Sequence, residues 1–532
     1  MVNKKLQVWL PLLFSLVMIV GIVLGYQLQG AMGWKQNAGK AGRINNTTDE
    51  VLQLINQKYV DKIDSDSLNF RAIQAILGKL DPHSIYIPPI SLADVNNSLR
   101  GNFQGVGIEF QIFNDTLNVL YVVEKGPAAE AGVLVGDQLI KVGDSTIAGK
   151  KLEGDAYKKF LRGEGGTAVE LTVLRDNKMI PIKVKRGIVP IPSLDAAYMA
   201  APGVGYIRLN KFAETTYIEF MQAMDKLKPL GMVKLILDLR SNGGGVLEAA
   251  VNIADEFLAD GKMIVYTEGD KVKKKEFRST KPGVFEKGEL VLLMDERSAS
   301  ASEVLAGALQ DNDRATIVGR RSFGKGLVQE QFGLSDGGAL RLTVARYYTP
   351  LGRSIQKPYG TSAALYRDEI MDRFQHTDSL SNDSAFTKGK AFKTKGGKTV
   401  YDGGGISPDV YVAFDTATLS KEGSKLYVTN ALSDFTYQFY KQNKTTLGQI
   451  KDAGSFEKNY TVPLSAWDSL VNFAKKDSIN LTVNNTRLRD ETLQRIKALL
   501  ARQLFRNDGY YEVENSDNPA YKKALEIMAA KN

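Results

Sequence analysis

The chain has 532 residues, too many for one hydrophobic core, so we expect three or more structural units. Its composition, 43% apolar and 24% charged, is that of a folded globular protein, and the net charge of +9 is spread too evenly for a nucleic-acid partner. Without cysteine and with only His83 and His376, the chain has no thiol nucleophile and few candidates for a metal site or a Ser-His-Asp triad. We therefore expect neither a metal nor another cofactor.

The first predicted element is an apolar segment that carries no charged residue from Leu6 to Trp34. As a helix it is long enough to cross a bilayer, with Trp9 and Tyr26 suited to the two interfaces. A cleaved signal peptide is the alternative, although its apolar region would normally be shorter. Basic residues flank the segment on both sides, so their count does not fix its orientation. We predict a transmembrane anchor over residues 1–34.

Residues 49–97 are predicted to be a helical region. Apolar residues recur there at helical spacing, first around Val51 and Leu54 and again around Ile73 and Leu77. Asp81 precedes a proline, which disfavours helical backbone and closes the pattern.

The pattern changes to β-rich over residues 98–188. Apolar residues alternate with polar or small ones from Val106 to Ile112, which predicts a half-buried strand. Further strands and one helix near residues 153–162 follow, and their order resembles a PDZ domain. The resemblance implies a loop that binds substrate tails, since glycines leave backbone N–H groups for a terminal carboxylate and the strand edge accepts a peptide. That loop would consist of Gly105, Val106, Gly107 and Ile108. A plain structural glycine turn is the alternative.

Strand and helix patterns alternate beyond residue 189, which predicts a layered α/β core. We assign this core to residues 189–356 and 399–412. A polar stretch over residues 357–398 is interpreted as an insertion, and residues 413–532 as a mostly helical C-terminal region.

Three segments of the core could carry chemistry. The first contains Ser300, which follows a predicted strand and precedes an amphipathic helix. Helix N-terminal amides at such a turn favour developing negative charge. Ser300 and Glu303 also match a capping box, so a structural helix cap is the alternative.

The second segment places Lys325 between two glycines, which permit unusual backbone angles and close packing around the lysine stem. A lysine acts as a base only when neutral, so burial would have to lower its pKa toward about 7–8. A loop lysine that contacts an anion is the alternative.

The third segment, residues 237–245, is a predicted buried strand that ends in three glycines before a helix. Its backbone N–H groups could stabilise an oxyanion, and a tight structural turn is the alternative.

Together the three segments resemble the carboxyl-terminal processing protease family, whose members use a serine–lysine pair. The match consists of Asp-Leu-Arg-x-Asn-x-Gly-Gly, then Ser-Ala-Ser-Ala-Ser-Glu, then Phe-Gly-Lys-Gly-x-Val-Gln, within residues 52–412. It implies a ClpP/crotonase-like α/β peptidase core that follows the PDZ-like module. By this resemblance Ser300 is the nucleophile, Lys325 is the general base and Gln329 orients the lysine amine.

The same resemblance implies further site residues. The amides of Gly244 and Ala301 would form the oxyanion hole, and Asp311 matches a position that the family keeps near the site, although its role could be structural. Position 243 departs from the family, since it is glycine where relatives often have proline.

The implied function is that of a serine endopeptidase that recognises accessible C-terminal tails of protein or peptide substrates. The resemblance also implies that the protein is located in a bacterial cell envelope, anchored in the inner membrane with its catalytic part in the periplasm. The main alternative is a catalytically silent PDZ scaffold at the membrane, and another hydrolase, such as an esterase, is a second. Whether the chain forms a homo-oligomer stays open.

Overall fold

The computed structural model describes residues 17–18, 47–152, 154–360, 366, 368–369, 373, 389–413, 421–481 and 485–530. Apart from Val17 and Met18, the predicted membrane segment lies outside these residues. No helix in the described part of the chain is both long and apolar enough to cross a membrane. The chain divides into two compact units, residues 1–75 and 76–532. Helix α1 (Thr47–Lys58) belongs to the first unit, and helix α2 (Ser65–Leu77) begins in it.

The second unit opens with strand β1 (Ile85–Ile87) and helix α3 (Pro89–Arg100), which lead into a β-rich module. The module consists of β2 (Asn102–Gly105), β3 (Ile108–Phe113), β4 (Thr116–Val122), α4 (Pro127–Ala131), β5 (Gln138–Val142), β6 (Ser145–Thr146), α5 (Gly154–Leu161), β7 (Ala168–Arg175), β8 (Lys178–Lys185) and β9 (Gly187–Pro190).

The main sheet of this module is antiparallel, in the order β3-β4-β5-β7-β8, with β6 paired to β5 and a separate β2–β9 pair. Strand β3 therefore forms one edge of the sheet. The predicted strand from residue 106 is wrong at its start, because Gly107 has a φ of 82° and separates β2 from β3.

Two sheets and their helices make up the following layered region. Its elements are β10 (Leu194–Ala201), β11 (Val204–Leu209), α6 (Thr216–Leu227), β12 (Lys234–Asp238), α7 (Leu247–Asp255), β13 (Met263–Glu268), β14 (Lys275–Arg278), β15 (Leu290–Met294), α8 (Ala301–Asp311), β16 (Thr316–Gly319), β17 (Leu327–Gly333), β18 (Ala339–Tyr348), β19 (Ala391–Lys393), β20 (Thr399–Tyr401) and β21 (Val410–Tyr411). A short 3-10 helix (Lys228–Leu230) follows α6.

The larger sheet has the order β10-β11-β12-β15-β16-β21, parallel except for the β10–β11 pair. Strands β1, β18, β13 and β14 form the second sheet, and β17 pairs with β18. Strands β19 and β20 form a separate hairpin.

The C-terminal region consists of helices. They are α9 (Lys421–Val428), α10 (Ala431–Leu447), α11 (Ala453–Asn459), α12 (Ser465–Ala474), a 3-10 helix (Lys475–Asp477), α13 (Thr486–Ser516) and α14 (Pro519–Ala530). Helix α13 is kinked at Arg506, where φ is 61° and ψ is −152°. Helices α9 to α13 share a hydrophobic core of their own.

The larger sheet is covered on both faces. Since side chains alternate across a strand, two alternating sets of residues face the two covers. One set of residues packs with α6, α7 and α8, and includes Leu235, Leu237, Leu290, Leu292 and Ile317. The alternate set packs with α14, and includes Ile236, Val291, Leu293 and Val318. Such two-sided burial explains why β12 and β15 are almost continuously apolar in sequence.

The described residues of the predicted insertion are not all peripheral. Lys357 and Tyr366 are buried, and the Lys357 ammonium donates to the Glu369 carboxylate at 2.9 Å. The same ammonium lies over the rings of Phe323 and Tyr366, at 4.4 and 4.1 Å from their centroids. This part of the chain therefore packs against the loop that carries Lys325.

Candidate active site

Ser300 lies at the turn between the buried strand β15 and helix α8. Its backbone has φ 55° and ψ −115°, which is rare for a residue other than glycine. Such conformations persist only where the surrounding structure determines them, and they are concentrated at functional sites. The serine is thus held in a strained turn at the N-terminus of α8, where the helix amides favour negative charge.

The Glu303 carboxylate connects the serine turn to the lysine loop. It is fully buried and accepts hydrogen bonds from the Ser300 and Lys325 amides, both at 2.8 Å. It also accepts from the Gly324 amide at 2.7 Å and from the Ser322 hydroxyl at 2.5 Å. Burial raises the pKa of Glu303, and these hydrogen bonds act in the opposite direction. The carboxylate thus caps the helix and also joins the two predicted catalytic segments, a second role that its spacing from Ser300 does not reveal.

Lys325 is held by a short chain of hydrogen bonds. Its amine donates to Gln329 Oε1 at 2.8 Å, and Gln329 Nε2 donates to the His83 carbonyl oxygen at 2.6 Å. Burial lowers the pKa of Lys325 and the positive charge of Arg341 lowers it further, while Glu303 and Asp81 act against them. The environment therefore favours the neutral amine more than water does.

Tyr347, on β18, contacts both segments and was not identified from the sequence. Its hydroxyl donates to the Lys325 carbonyl oxygen. Burial raises its pKa well above the ordinary value, and a hydrogen bond with Ser300 acts in the opposite direction.

The backbone carbonyl of His83 holds Gln329, and its ring contacts Tyr366. Burial lowers its pKa to about 4, and the charge of Lys325 acts in the same direction, so the ring is neutral at pH 7. Ring Nε2 is 2.8 Å from the Tyr366 hydroxyl, and the backbone N–H donates to Asp81 at 2.8 Å. His376 lies outside the described residues.

Ser300 and Lys325 line one cavity of about 440 Å³, together with Ala301 and the glycine loop that follows β12. In that loop the Gly244 amide donates to Asn242 Oδ1 at 2.9 Å. One of the two predicted oxyanion donors is therefore already bonded in this conformation. Across the described ranges, no group of three or more His, Cys, Asp or Glu side chains could hold a metal ion.

Asp311 is not brought to this cavity. It ends helix α8, which begins beside Ser300, and its carboxylate binds the buried Arg353 guanidinium at 2.5 Å and the Leu351 amide at 3.0 Å. The structure thus places Asp311 at the far end of the helix, where it has a structural contact with Arg353 and does not line the cavity.

The predicted tail-binding loop connects β2 to β3. The Val106 carbonyl oxygen accepts from the Ala128 amide at 2.8 Å, and that of Gly107 accepts from the Val123 amide at 3.0 Å. These bonds fix the peptide planes of the loop. Ile108 lies where the loop enters β3, and it lines a second cavity between β3 and α5.

Family models match three parts of the chain. A PDZ domain matches residues 105–185, peptidase family S41 matches residues 203–362, and a family of unknown function (DUF8443) matches residues 424–507.

Several known proteins are similar to the chain. A carboxy-terminal-processing protease of Bartonella bacilliformis is 36% identical over 357 residues, which cover 65% of this chain and 81% of the relative. A probable CtpA-like serine protease of Staphylococcus aureus is 36% identical over 350 residues, which cover 65% of this chain and 68% of the relative. Among solved structures, a photosystem II D1 C-terminal processing protease is 28% identical and covers 70% of this chain and 87% of that chain, with a TM-score of 0.34.

A PDZ domain followed by an α/β peptidase domain defines the molecule as a serine peptidase. The chain belongs to the carboxy-terminal-processing protease family, within peptidase family S41. The family resemblance drawn from the sequence motifs is thereby confirmed.

Proposed function

We propose that this serine peptidase is an endopeptidase that uses Ser300 as nucleophile and Lys325 as general base, on substrates whose C-terminal tails bind the PDZ domain. One observation carries the proposal. The Glu303 carboxylate binds the backbone amides of both residues, and their side chains line a single cavity.

In the proposed mechanism, the Ser300 hydroxyl turns toward the neutral amine of Lys325. The amine takes the hydroxyl proton while the serine oxygen attacks the substrate carbonyl carbon. The protonated lysine then gives that proton to the leaving amine, and the acyl-enzyme remains. Water attacks the acyl-enzyme in the second half, losing a proton to Lys325, which returns it to Ser300 as the ester breaks. Gln329 orients the amine throughout, because the His83 carbonyl oxygen holds the Gln329 side chain in place.

The oxyanion is proposed to form next to the Ala301 amide. The Gly244 amide can join it only after releasing Asn242 Oδ1, since one N–H makes one strong hydrogen bond. We infer that substrate binding turns the glycine loop and completes the oxyanion hole. This step would separate a resting conformation from the active one.

Tail recognition is proposed to occur at strand β3. Residues 108–111 of this edge strand line a cavity of about 540 Å³, and Gly154 and Lys158 of α5 line its other side. An extended tail could add there as a further strand, with its terminal carboxylate at Gly105 to Ile108.

The test is digestion of an unfolded protein with an apolar C-terminal tail by the full chain in detergent. Ser300→Ala and Lys325→Ala should both be inactive while circular dichroism shows them folded, and Lys287→Ala, at an exposed lysine, should match the parent. Full activity of Lys325→Ala would show that another group is the base. A parent that binds the tail without cleaving any protein would favour the silent scaffold.

We further propose that residues 6–34 anchor the chain in a bacterial inner membrane, with the catalytic part in the periplasm. The support is the length of this segment and its lack of charged residues. The full chain should then resist extraction from membranes by carbonate and be digested by protease added to spheroplasts. Recovery of a shortened chain in the soluble periplasmic fraction would favour a cleaved signal peptide instead.

A further inference from the structure

The C-terminal helices lie against the strand that is proposed to receive the tail. Three alternate residues of β3 each contact them. The Glu109 carboxylate pairs with the Arg506 guanidinium at 2.6 Å, and Gln111 Nε2 donates to Asp434 at 2.8 Å. The ring of Phe113 stacks on that of Tyr437, with 4.4 Å between centroids and 6° between planes. The whole outer face of β3 is therefore in contact with the C-terminal region.

These helices also line the cavity beside β3. Its residues come from β3 and the adjoining β4, from helix α5, and from the C-terminal helices α10 and α13 with the residue before α10. The C-terminal contribution includes Ser433 and Tyr437 of α10 and Leu499, Arg502 and Arg506 of α13. A tail added to β3 would thus lie between the PDZ domain and a wall that belongs to the region matching the family of unknown function.

Positive charge predominates in this groove. Its charged lining residues are Lys158, Arg502 and Arg506 against one carboxylate, Glu109. Arg506 pairs with Glu109 and lies 3.5 Å over the ring of Tyr121, so its guanidinium is held against the PDZ domain. Arg502 is only 3.7 Å from the same carboxylate and half exposed, so its remaining N–H donors can bind a second carboxylate.

The wall is fixed to the peptidase domain. Beyond the kink at Arg506, α13 packs on this domain through several polar contacts. Asp508 pairs with Lys226 at 2.9 Å, Tyr511 donates to Asp195 at 3.0 Å, and Asn515 accepts from Arg240 at 2.9 Å. Arg240 lies just before the glycine loop of the active site. Helix α13 thereby spans from the tail groove to the peptidase core.

We propose that the tail-binding site is composite, with the C-terminal helices as its third wall, and that Arg502 selects tails carrying Asp or Glu within about the last four residues. Four residues of β3 line the groove, and an added strand has the same rise per residue as β3. About four residues at the end of the tail can therefore lie in the groove. The inference rests on the proposed function, because it requires the tail to bind at β3.

The experiment measures binding of fluorescent peptides to the full chain carrying Ser300→Ala, by anisotropy in detergent at low salt. Three twelve-residue peptides share an apolar last residue and differ in having Glu, Gln or Lys at the third position from the end. We expect the Glu peptide to bind about fivefold more tightly than the Gln peptide, and the Lys peptide to bind most weakly. Arg502→Gln should remove the difference, while Arg489→Gln, at a half-buried arginine of the same helix that pairs with Asp490 outside the groove, should keep it.

The outcomes separate this inference from the proposed function. Equal binding of the three peptides, or a preference that survives Arg502→Gln, would overturn selection by Arg502. A chain that cleaves unfolded protein but binds none of the peptides would overturn tail recognition itself, and the composite site with it. The Ser300 and Lys325 mechanism would be unaffected by either result.

Discussion

At the scale of single residues, the proposed chemistry depends on a lysine that loses its proton more readily than an exposed lysine does. Desolvation of the ammonium is the main cause, and Arg341 adds a positive charge near it. Two carboxylates oppose this effect, but Glu303 and Asp81 each spend their oxygens on several hydrogen bonds to other groups. Lys325 can therefore stay partly buried without becoming one half of an ion pair.

The first prediction concerns the pH dependence of kcat/KM. Activity should rise with pH, because in the proposed mechanism only the neutral Lys325 amine accepts the Ser300 proton. The apparent pKa of this rise should be lower than the pKa of an exposed lysine. Arg341→Gln removes a charge that lowers the pKa of Lys325, so the rise should move to higher pH.

Arg346→Gln is the matched control, since Arg346 lies on the same strand and binds Tyr359 instead. Its rise should coincide with that of the parent. An unmoved rise in Arg341→Gln would show that this charge does not act on the catalytic base.

The candidate residues that the sequence indicated are those whose signal is local. Ser300, Lys325 and Gln329 lie in short motifs, and the structure brings all three together. Tyr347 and the His83 carbonyl could not be found in this way, because they reach the site only through the pairing of β18 with β17 and β1. Nor could the glycine motif show that Asn242 holds the Gly244 amide.

At the scale of elements, helix α8 and the lysine loop form one unit through Glu303. Glu303→Gln should destabilise the protein by about 2–4 kcal/mol, because its amide group would face backbone N–H donors in a buried site. Activity should fall by more than the unfolded fraction accounts for, since the turn and the loop lose their common anchor. Urea unfolding and peptide hydrolysis measure the two effects.

The comparison variant for Glu303 is Glu330→Gln, at an exposed position on β17. Its unfolding free energy should stay within about 0.5 kcal/mol of the parent. A Glu303→Gln protein as stable and active as this control would refute the anchoring role.

The glycine loop gives a second prediction at this scale. Gly244 has a φ of 91°, and a Cβ there would lie 2.6 Å from the Ala299 carbonyl oxygen and 2.8 Å from the Ala301 amide nitrogen. Gly244→Ala should therefore displace the loop from the serine turn and lower kcat at least about a hundredfold, the effect of losing one oxyanion donor.

Gly243→Ala should keep activity near that of the parent, because a Cβ at this position meets no atom within 4 Å. Comparison of the Gly244→Ala and Gly243→Ala variants distinguishes a local steric clash from a general loss of glycine flexibility. Similar losses in both variants would mean that flexibility, and not the close approach of Gly244, is what the loop requires.

At the scale of the whole molecule, the peptidase domain depends on a helix near the C-terminus. Strands β12 and β15 are almost continuously apolar in sequence, a pattern that requires a cover on each side of the sheet. The sequence could not show that α14 provides the second cover, since this contact joins residues more than 200 positions apart. Matches to the curated relatives cover 65% of the chain, whereas the core of the molecule also includes its last helix.

The last prediction tests this cover. Ala524 is fully buried against the sheet, so Ala524→Asp would place a carboxylate in an apolar layer and should cost about 3 kcal/mol or more. Ala529→Asp introduces the same charge at an exposed position of the same helix, and its cost should stay below about 1 kcal/mol. Urea unfolding of the full chain measures both, and peptide hydrolysis should be lost at a lower urea concentration in Ala524→Asp. Equal unfolding midpoints would show that the sheet is stable without α14, and the peptidase domain would then be separable from the C-terminal helices.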